Sequence, residues 1–177
     1  AVAFESAGVL HTDRDTTLTL NGLLSGTGSF SKQGAGTLAL NGDNSGYSGH
    51  TTLAAGQLVV AGKLGGSLDI EAAGSLAGTG TVGSTTNAGV ILAGHDDEGK
   101  LTIDGNYTGA GGRIDFATVL GDDHSTTTRL NITGNSAGTT KVSISNRGGL
   151  GRSASPPVGQ ECSFWWLPVH YIKNILI

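Results

Sequence analysis

Two short runs contain the residue types that most often do chemistry. Residues 95–98 are His-Asp-Asp-Glu, the densest polar cluster of the chain. Carboxylates gathered in a loop are ligands that suit Ca²⁺, but neighbours on a strand point to opposite faces, so a tight turn would have to bring them together. The alternative is a solvated loop between Leu92 and Leu101. We predict the solvated loop and no metal site.

Residues 122–125 are Asp-Asp-His-Ser, the residue types of a hydrolase triad. A triad needs a buried Asp that orients a His, which in turn contacts the nucleophile. Four successive loop residues cannot adopt that arrangement, and the chain has no G-x-S-x-G nucleophile elbow. We therefore predict no catalytic residue here.

Two Gly-Thr-Gly elements, at residues 26–28 and 78–80, have the glycines of a phosphate-binding loop. Neither is followed by a helical pattern or by the G-K-[ST] of such loops. Glycine also turns tight corners, because it tolerates positive φ. We predict that both elements are corners between strands and that no cofactor binds to them.

Surface contacts are the remaining option for a site. Lys32 and Tyr47 are candidates for exposed adhesion contacts, and the alternative is that they are ordinary solvent-facing residues. Outward positions are mostly Thr, Ser, Ala and Asn, so the aligned charged cleft of a polysaccharide-degrading enzyme is absent from the pattern. Asn21 and Asn41 are aligned, and we predict that they form a stacked amide ladder inside a corner.

The composition favours an all-β protein with many short strands. Of 177 residues, 31 are Gly, and only 14% are charged, compared with about 25% in a typical domain. The net charge of −4 gives no reason to expect nucleic acid as a partner. The single Cys excludes a disulfide within the chain.

A repeat organises the chain. Leu18-Thr-Leu20-Asn-Gly is followed about 20 residues later by Leu38-Ala-Leu40-Asn-Gly, and again by Leu58-Val-Val60-Ala-Gly. This period predicts a parallel β-helix, in which each coil buries its apolar residues against the next. The rival fold is an antiparallel sandwich, whose hairpins would not impose a fixed period. We interpret as later equivalents the residues 68–70, 101–103, 114–116, 130–132 and 142–144, and we match residues 24–30 to 76–82.

The pattern divides the chain into three parts. Residues 1–97 form coils with the regular repeat. Residues 98–151 have longer strands, and a hairpin or sandwich-like segment there could close the helix and protect its open end. Residues 152–177 contain all three Pro and both Trp, and this apolar tail has the character of a non-native or frame-shifted segment, or of a separate docking segment.

Specific motifs resemble a known family at this point. Lys32-Gln-Gly-Ala-Gly-Thr-Leu38, Gly46-Tyr-Ser-Gly-His-Thr-Thr52 and Gly56-Gln-Leu58 resemble the passenger-associated transport repeat of bacterial autotransporters. Residues 74–151 resemble the pertactin-like C-terminal region of the same passengers, with matches at 74–82, 99–107, 129–134 and 148–151. Two departures are Gly94, where the family usually has Pro, and Thr128, where it commonly has Asp.

The resemblance implies a right-handed β-helix that is exported across the outer membrane to the cell surface or the medium. It implies a membrane-proximal stalk and an autochaperone-like folding nucleus, with no enzymatic activity. The implied partners are N-terminal passenger coils and a translocator barrel, and nothing in this chain resembles the barrel. Two other functions stay open: an adhesin surface for self-association or host-glycan binding, and a β-helical polysaccharide-active enzyme.

Overall fold

The described part of the chain consists of strands and the turns that join them. The computed structural model describes residues 2–94, 99–119 and 126–148. No helix occurs among these residues, and hence none that could span a membrane. The strands are β1 (Val2–Ala3), β2 (Gly8–His11), β3 (Thr17–Leu20), β4 (Leu24–Ser25), β5 (Phe30–Gln33), β6 (Thr37–Leu40), β7 (Asp43–Asn44), β8 (His50–Val60), β9 (Lys63–Leu64), β10 (Ser67–Ala77), β11 (Thr81–Val82), β12 (Thr85–Asn87), β13 (Val90–Leu92), β14 (Gly99–Ile103), β15 (Tyr107–Val119), β16 (Thr126–Ile132) and β17 (Ser136–Asn146).

The strands stack in parallel on three faces of a solenoid. The first face runs from β2 through β5 and the N-terminal parts of β8 and β10 to β12, β15 and β17. The second face runs from β3 through β6 and the C-terminal parts of β8 and β10 to β13, β15 and β17. The predicted parallel β-helix is confirmed, and the antiparallel sandwich is wrong.

The third face is made of shorter strands. It contains the pair β1 and β4, and then β7, β9, β11, β14 and β16 in order. The ends of β15 and β16 also pair antiparallel, at Thr118 with Thr127 and Val119 with Thr126. A hairpin-like pairing therefore exists in the predicted region, but it lies at the side of the solenoid, and the last rung of the described stack is β17.

Alternation within each strand creates the core. In β6 the side chains of Leu38 and Leu40 are fully buried, whereas Thr37 and Ala39, which alternate with them, are only partly buried. The register places Leu38 between Leu18 and Leu58, and Leu40 between Leu20 and Val60. The ladder predicted from the period of about 20 residues is confirmed in each of these positions.

Of the later members of the repeat, residues 114–116 and 142–144 lie on the predicted ladder, whereas residues 68–70, 101–103 and 130–132 lie on other faces. Leu58 stacks on Leu76, and the same row continues through Ile91, Ile114 and Val142. Residues 68–70 stack instead on residues 51–53 of the first face, and residues 101–103 pair with residues 130–132 on the third face. The matched segments 24–30 and 76–82 also begin on different faces. Alternating apolar residues do not by themselves identify the face, because corners of different length change the coil period.

Candidate functional site: buried polar corners of the stack

The polar clusters that attract attention in the sequence lie outside the described residues. Residues 95–98 and residues 122–125, the candidate cation loop and the candidate triad, both fall there. Among residues 2–94, 99–119 and 126–148, no group of three or more His, Cys, Asp and Glu side chains converges to hold a metal ion. The candidate site is built instead at the corners between faces.

The two Gly-Thr-Gly elements form corners, as predicted. Gly26 and Gly78 have φ of 101° and 119°, in the left-handed region. A Cβ atom on Gly26 would lie 2.2 Å from the Phe4 carbonyl oxygen, and one on Gly78 would lie 2.1 Å from that of Val60. Coils approach so closely at these corners that no side chain fits between them.

Lys32 is buried, so both predictions for it, an exposed adhesion contact and an ordinary solvent-facing residue, are wrong. Lys32 is 0% exposed, because its side chain points from β5 into the solenoid. Its Nζ donates to the carbonyl oxygens of Gln33, Gly34 and Ala55, at 3.0, 2.9 and 3.1 Å. Burial lowers the pKa of Lys32 below its usual value, because an ammonium ion loses solvation there, while the three carbonyl acceptors favour the protonated form.

Tyr47 is also buried, contrary to its prediction as an exposed contact. Its hydroxyl oxygen lies 2.9 Å from the Gly28 carbonyl oxygen and 3.0 Å from that of His50, and its single proton is shared between these two acceptors. Its ring lies 5.5 Å from the ring of Phe30 and 6.3 Å from that of Phe4, centroid to centroid. Burial raises the pKa of Tyr47, because the phenolate would lose solvation. The aromatic group belongs to the core.

Asn44 is a functional residue of the corner that the sequence analysis missed. It is fully buried, and its Oδ1 accepts a bond of 2.7 Å from the backbone N–H of Leu24. Its Nδ2 donates to the Gly42 carbonyl at 3.1 Å. The side-chain amide of Asn44 thus takes the place of a backbone hydrogen bond between β4 and β7. Asn44 pairs in register with Leu64, which occupies an inward position of the next coil. A polar residue at the position equivalent to a buried leucine is the signal that could have identified Asn44.

Two further asparagines link neighbouring coils. The amide ladder of Asn21 and Asn41 is confirmed, with Nδ2 of Asn41 at 2.9 Å from Oδ1 of Asn21, although both residues are exposed rather than enclosed. Asn87 is fully buried and donates to the Tyr107 hydroxyl and the Arg113 carbonyl, both at 3.2 Å. Asparagine therefore connects coils both outside and inside the solenoid.

The outer surface contains few charges that are close together. Arg113 and Asp115 form an ion pair of 2.7 Å on the second face. His50 and Asp69 approach to 3.3 Å on the first face. A cleft of about 210 Å³ lies beside the β15–β16 pairing, with Phe116 in its lining. Among the residues that the structure describes, these charged groups do not form the aligned acidic or basic row that polysaccharide chemistry would need.

Comparisons with known proteins identify the corner residues as parts of a recurring unit. Residues 30–60 match the passenger-associated transport repeat, which includes the segment that holds Lys32, Asn44 and Tyr47. Residues 79–156 match the family described as Autochaperone Domain Type 1. The buried corner and the later rungs thus fall into two adjacent family segments.

Three relatives extend the comparison. The adhesin BmaC autotransporter of Brucella suis biovar 1 (strain 1330) is 52% identical over 151 residues, which is 85% of this chain and 4% of that protein. The uncharacterized protein YuaQ of Escherichia coli (strain K12) is 37% identical over 151 residues, or 81% of this chain and 11% of that protein. YdeU from the same strain is 45% identical over 51 residues, 29% of this chain and 11% of its own length.

The chain therefore spans a small fraction of the relatives that it matches. Its strands stack as a parallel solenoid, its corners carry the transport repeat, and its later residues match the autochaperone domain. The chain belongs to the passengers of bacterial autotransporters, which are exported across the outer membrane to the cell surface or the medium.

Proposed function

We propose that this chain is a non-catalytic stalk and folding nucleus, the membrane-proximal part of a longer passenger. The observation that carries the proposal is the uninterrupted parallel register, which continues on the first and second faces through β17. A stack of this kind gains stability from each neighbouring pair of coils. A formed C-terminal stack therefore offers a template on which further coils can add.

The N-terminal rung fits the template role. Leu18 and Leu20 in β3 are only half-buried, whereas Leu38 and Leu40 below them are fully buried. Phe4 and Leu10 pack against the core from the same end and are likewise only partly buried. Another coil placed on this end would cover these side chains at about 25 cal/mol per Å² of apolar surface removed from water.

The division of the chain supports an order of folding. We propose that residues 98–151 form first and that coils within residues 1–97 add to them. In this proposal the partners are the N-terminal coils of the passenger and the translocator barrel. Strand β15 pairs with β12 and β13 on one side and with β17 on the other, which supports a folding nucleus in this region.

The test uses a surface-displayed passenger that contains this segment at its membrane-proximal end. We expect Leu38→Asp, which places a carboxylate in the core, to make the coils upstream of the segment sensitive to protease and to reduce their display. Thr19→Asp, on an exposed position of β3, is the matched control and leaves both unchanged. If Leu38→Asp leaves the upstream coils protected, the segment is a passive stalk and the folding-nucleus proposal fails.

A second function, an adhesive surface, is favoured by one structural feature. Outward residues of the first face form a continuous polar row through Ser31, Thr52, Asp69, Thr86 and Thr108. Hydroxyls in a flat row could pair with a second copy of the chain or with a glycan. The name of the Brucella relative, an adhesin, agrees with this alternative.

The adhesive surface is tested with Thr86→Glu and Thr108→Glu in the displayed passenger. Sedimentation of the bacteria and binding to a glycan array should both fall if the row makes the contact, because added carboxylates repel a second copy and block hydroxyl pairing. Thr37→Glu, on the second face, is the control. Unchanged sedimentation and unchanged glycan binding would exclude the first face as the adhesive surface.

A further inference from the structure

Lys32 has an unusual environment for a buried ammonium group. Its three N–H donors are matched by three backbone carbonyl oxygens at 2.9 to 3.1 Å, from Gln33, Gly34 and Ala55. No ion pair joins Lys32 to any acidic residue in the described part of the chain. Backbone dipoles alone therefore compensate its charge.

The carbonyls come from two coils that meet at one corner. Gln33 is the last residue of β5 and Gly34 follows it, whereas Ala55 lies in β8 of the next coil. Gly34 and Gly56 both adopt left-handed φ, 79° and 75°, and a Cβ on Gly56 would lie 2.4 Å from the Gly34 oxygen. The same Cβ would lie 2.8 Å from Nζ of Lys32. Glycine is thus needed at this corner for the carbonyls to close around the ammonium.

The carbonyl of Gly34 shows why a donor is required. Among the described residues, its hydrogen bond comes from Lys32, and no backbone N–H of a neighbouring coil reaches it. A buried carbonyl without a donor costs free energy. Rings of backbone carbonyls that face one point are also the usual way for proteins to hold monovalent cations without a carboxylate.

We propose that the corner formed by Gln33, Gly34 and Ala55 is a binding site for a primary ammonium ion, and that the ammonium of Lys32 is its built-in occupant. The cation joins the coil of β5 and β6 to the coil of β8 and holds their register. The site takes a primary ammonium ion, because three N–H donors match three acceptors. Removing the side chain beyond Cβ leaves a site for n-propylammonium, which restores the missing atoms.

The experiment measures the melting temperature of the whole chain by circular dichroism at neutral pH. We expect Lys32→Ala to melt lower than the wild type and to recover with n-propylammonium chloride in a saturable way. Sodium chloride at equal ionic strength and n-propanol at equal concentration should not restore it. Equal melting of Lys32→Ala in n-propylammonium and in sodium chloride overturns the cation site, as does equal recovery with n-propanol, which would indicate a neutral filler.

Lys32→Met provides a second variant that keeps an unbranched side chain as far as Cε and removes the ammonium group with its donors and its charge. We expect its melting temperature to fall by roughly 5–10 °C, because three carbonyls lose a charged donor. Lys100→Met, at an exposed position of β14, is the matched control and should melt as the wild type does. A Lys32→Met variant as stable as Lys100→Met overturns the proposal, even if Lys32→Ala does not fold.

Discussion

Buried polar side chains supply hydrogen bonds at two places where the backbones of adjacent coils are not paired as strands. The third face has no strand pairing between β4 and β7, and the amide of Asn44 supplies the missing acceptor for Leu24. The single O–H of Tyr47 is shared between the carbonyls of Gly28, in the preceding coil, and His50, in its own coil. Burial makes these bonds costly to lose, since an unpaired buried group keeps its full desolvation penalty.

Asn44→Ala tests the role of the buried amide. We expect the free energy of unfolding to fall by about 1–3 kcal/mol, because the backbone N–H of Leu24 is left without an acceptor. Asn41→Ala, which removes an exposed amide from the ladder with Asn21, should change it by about 0.5 kcal/mol or less. Urea unfolding of both variants gives the two values, and equal losses would contradict the capping role of Asn44.

Tyr47 should make the protein sensitive to alkali. Its pKa is raised in the folded state by burial, so the unfolded chain releases this proton first. The stabilisation is fully present below the unfolded pKa of about 10 and is lost as the pH rises through the folded pKa. We expect the free energy of unfolding of the wild type to fall between about pH 9 and pH 12 more steeply than that of Tyr47→Phe.

The measurement for Tyr47 is urea unfolding across that pH range, combined with ultraviolet absorbance to follow tyrosinate formation. Phenylalanine removes the ionisable group and retains the ring contacts with Phe30 and Phe4. Parallel pH profiles for the two proteins would show that the alkaline loss arises elsewhere.

Each strand of the solenoid is too short to be stable alone, and its apolar face is completed by its neighbours. β6 has four residues, and its two leucines are buried between equivalent residues of β3 and β8. Isolated strands of this length have no independent stability. The element that matters energetically is therefore the ladder across coils, and a change at one rung affects the rungs on both sides.

Leu38→Ala is expected to lower the free energy of unfolding by about 2–5 kcal/mol, because it leaves a cavity between fully packed rungs. Thr19→Ala, on the exposed side of β3, should change it by about 0.5 kcal/mol or less. Chemical denaturation measures both. A small loss for Leu38→Ala would show that Leu18 and Leu58 close around the gap.

In the whole molecule, the position of an apolar residue along the stack determines how deeply it is buried and how much it contributes to stability. Ile114 and Val142 are neighbours on one ladder, but Ile114 is 6% exposed and Val142 is 45% exposed, since β17 is the last described rung. The equivalent position of β3, Leu18, is partly buried at the other end. The described solenoid thus has a fully packed middle and two ends with uncovered apolar side chains.

Ile114→Ala and Val142→Ala compare these environments directly. We expect a loss of about 2–5 kcal/mol for Ile114→Ala and of about 1 kcal/mol or less for Val142→Ala, in line with their burial. Urea unfolding at one pH gives the difference. A loss at Val142 as large as that at Ile114 would show that another part of the chain covers the last rung in solution.

The sequence alone determined the class of fold and the first ladder. Leucines at period 2 within strands and at a period of about 20 between them require a stack of coils, because no shorter unit buries them. That pattern predicted correctly which residues lie above and below Leu38 and Leu40. The corner glycines were also predictable, since Gly is the residue that tolerates left-handed φ and close backbone approach.

Only the tertiary structure decided where the polar residues point and on which face the later strands lie. Lys32 and Tyr47 are residue types that are common on protein surfaces, yet their positions in the coil direct both side chains inward. There, backbone carbonyls of adjacent coils accept their hydrogen bonds. Residues 68–70 have the same alternation as residues 38–40 but belong to another face. The period of two determines which side chains of a strand point into the solenoid and which point out. The geometry of the corners determines which strands pair and which backbone carbonyls need a side-chain donor.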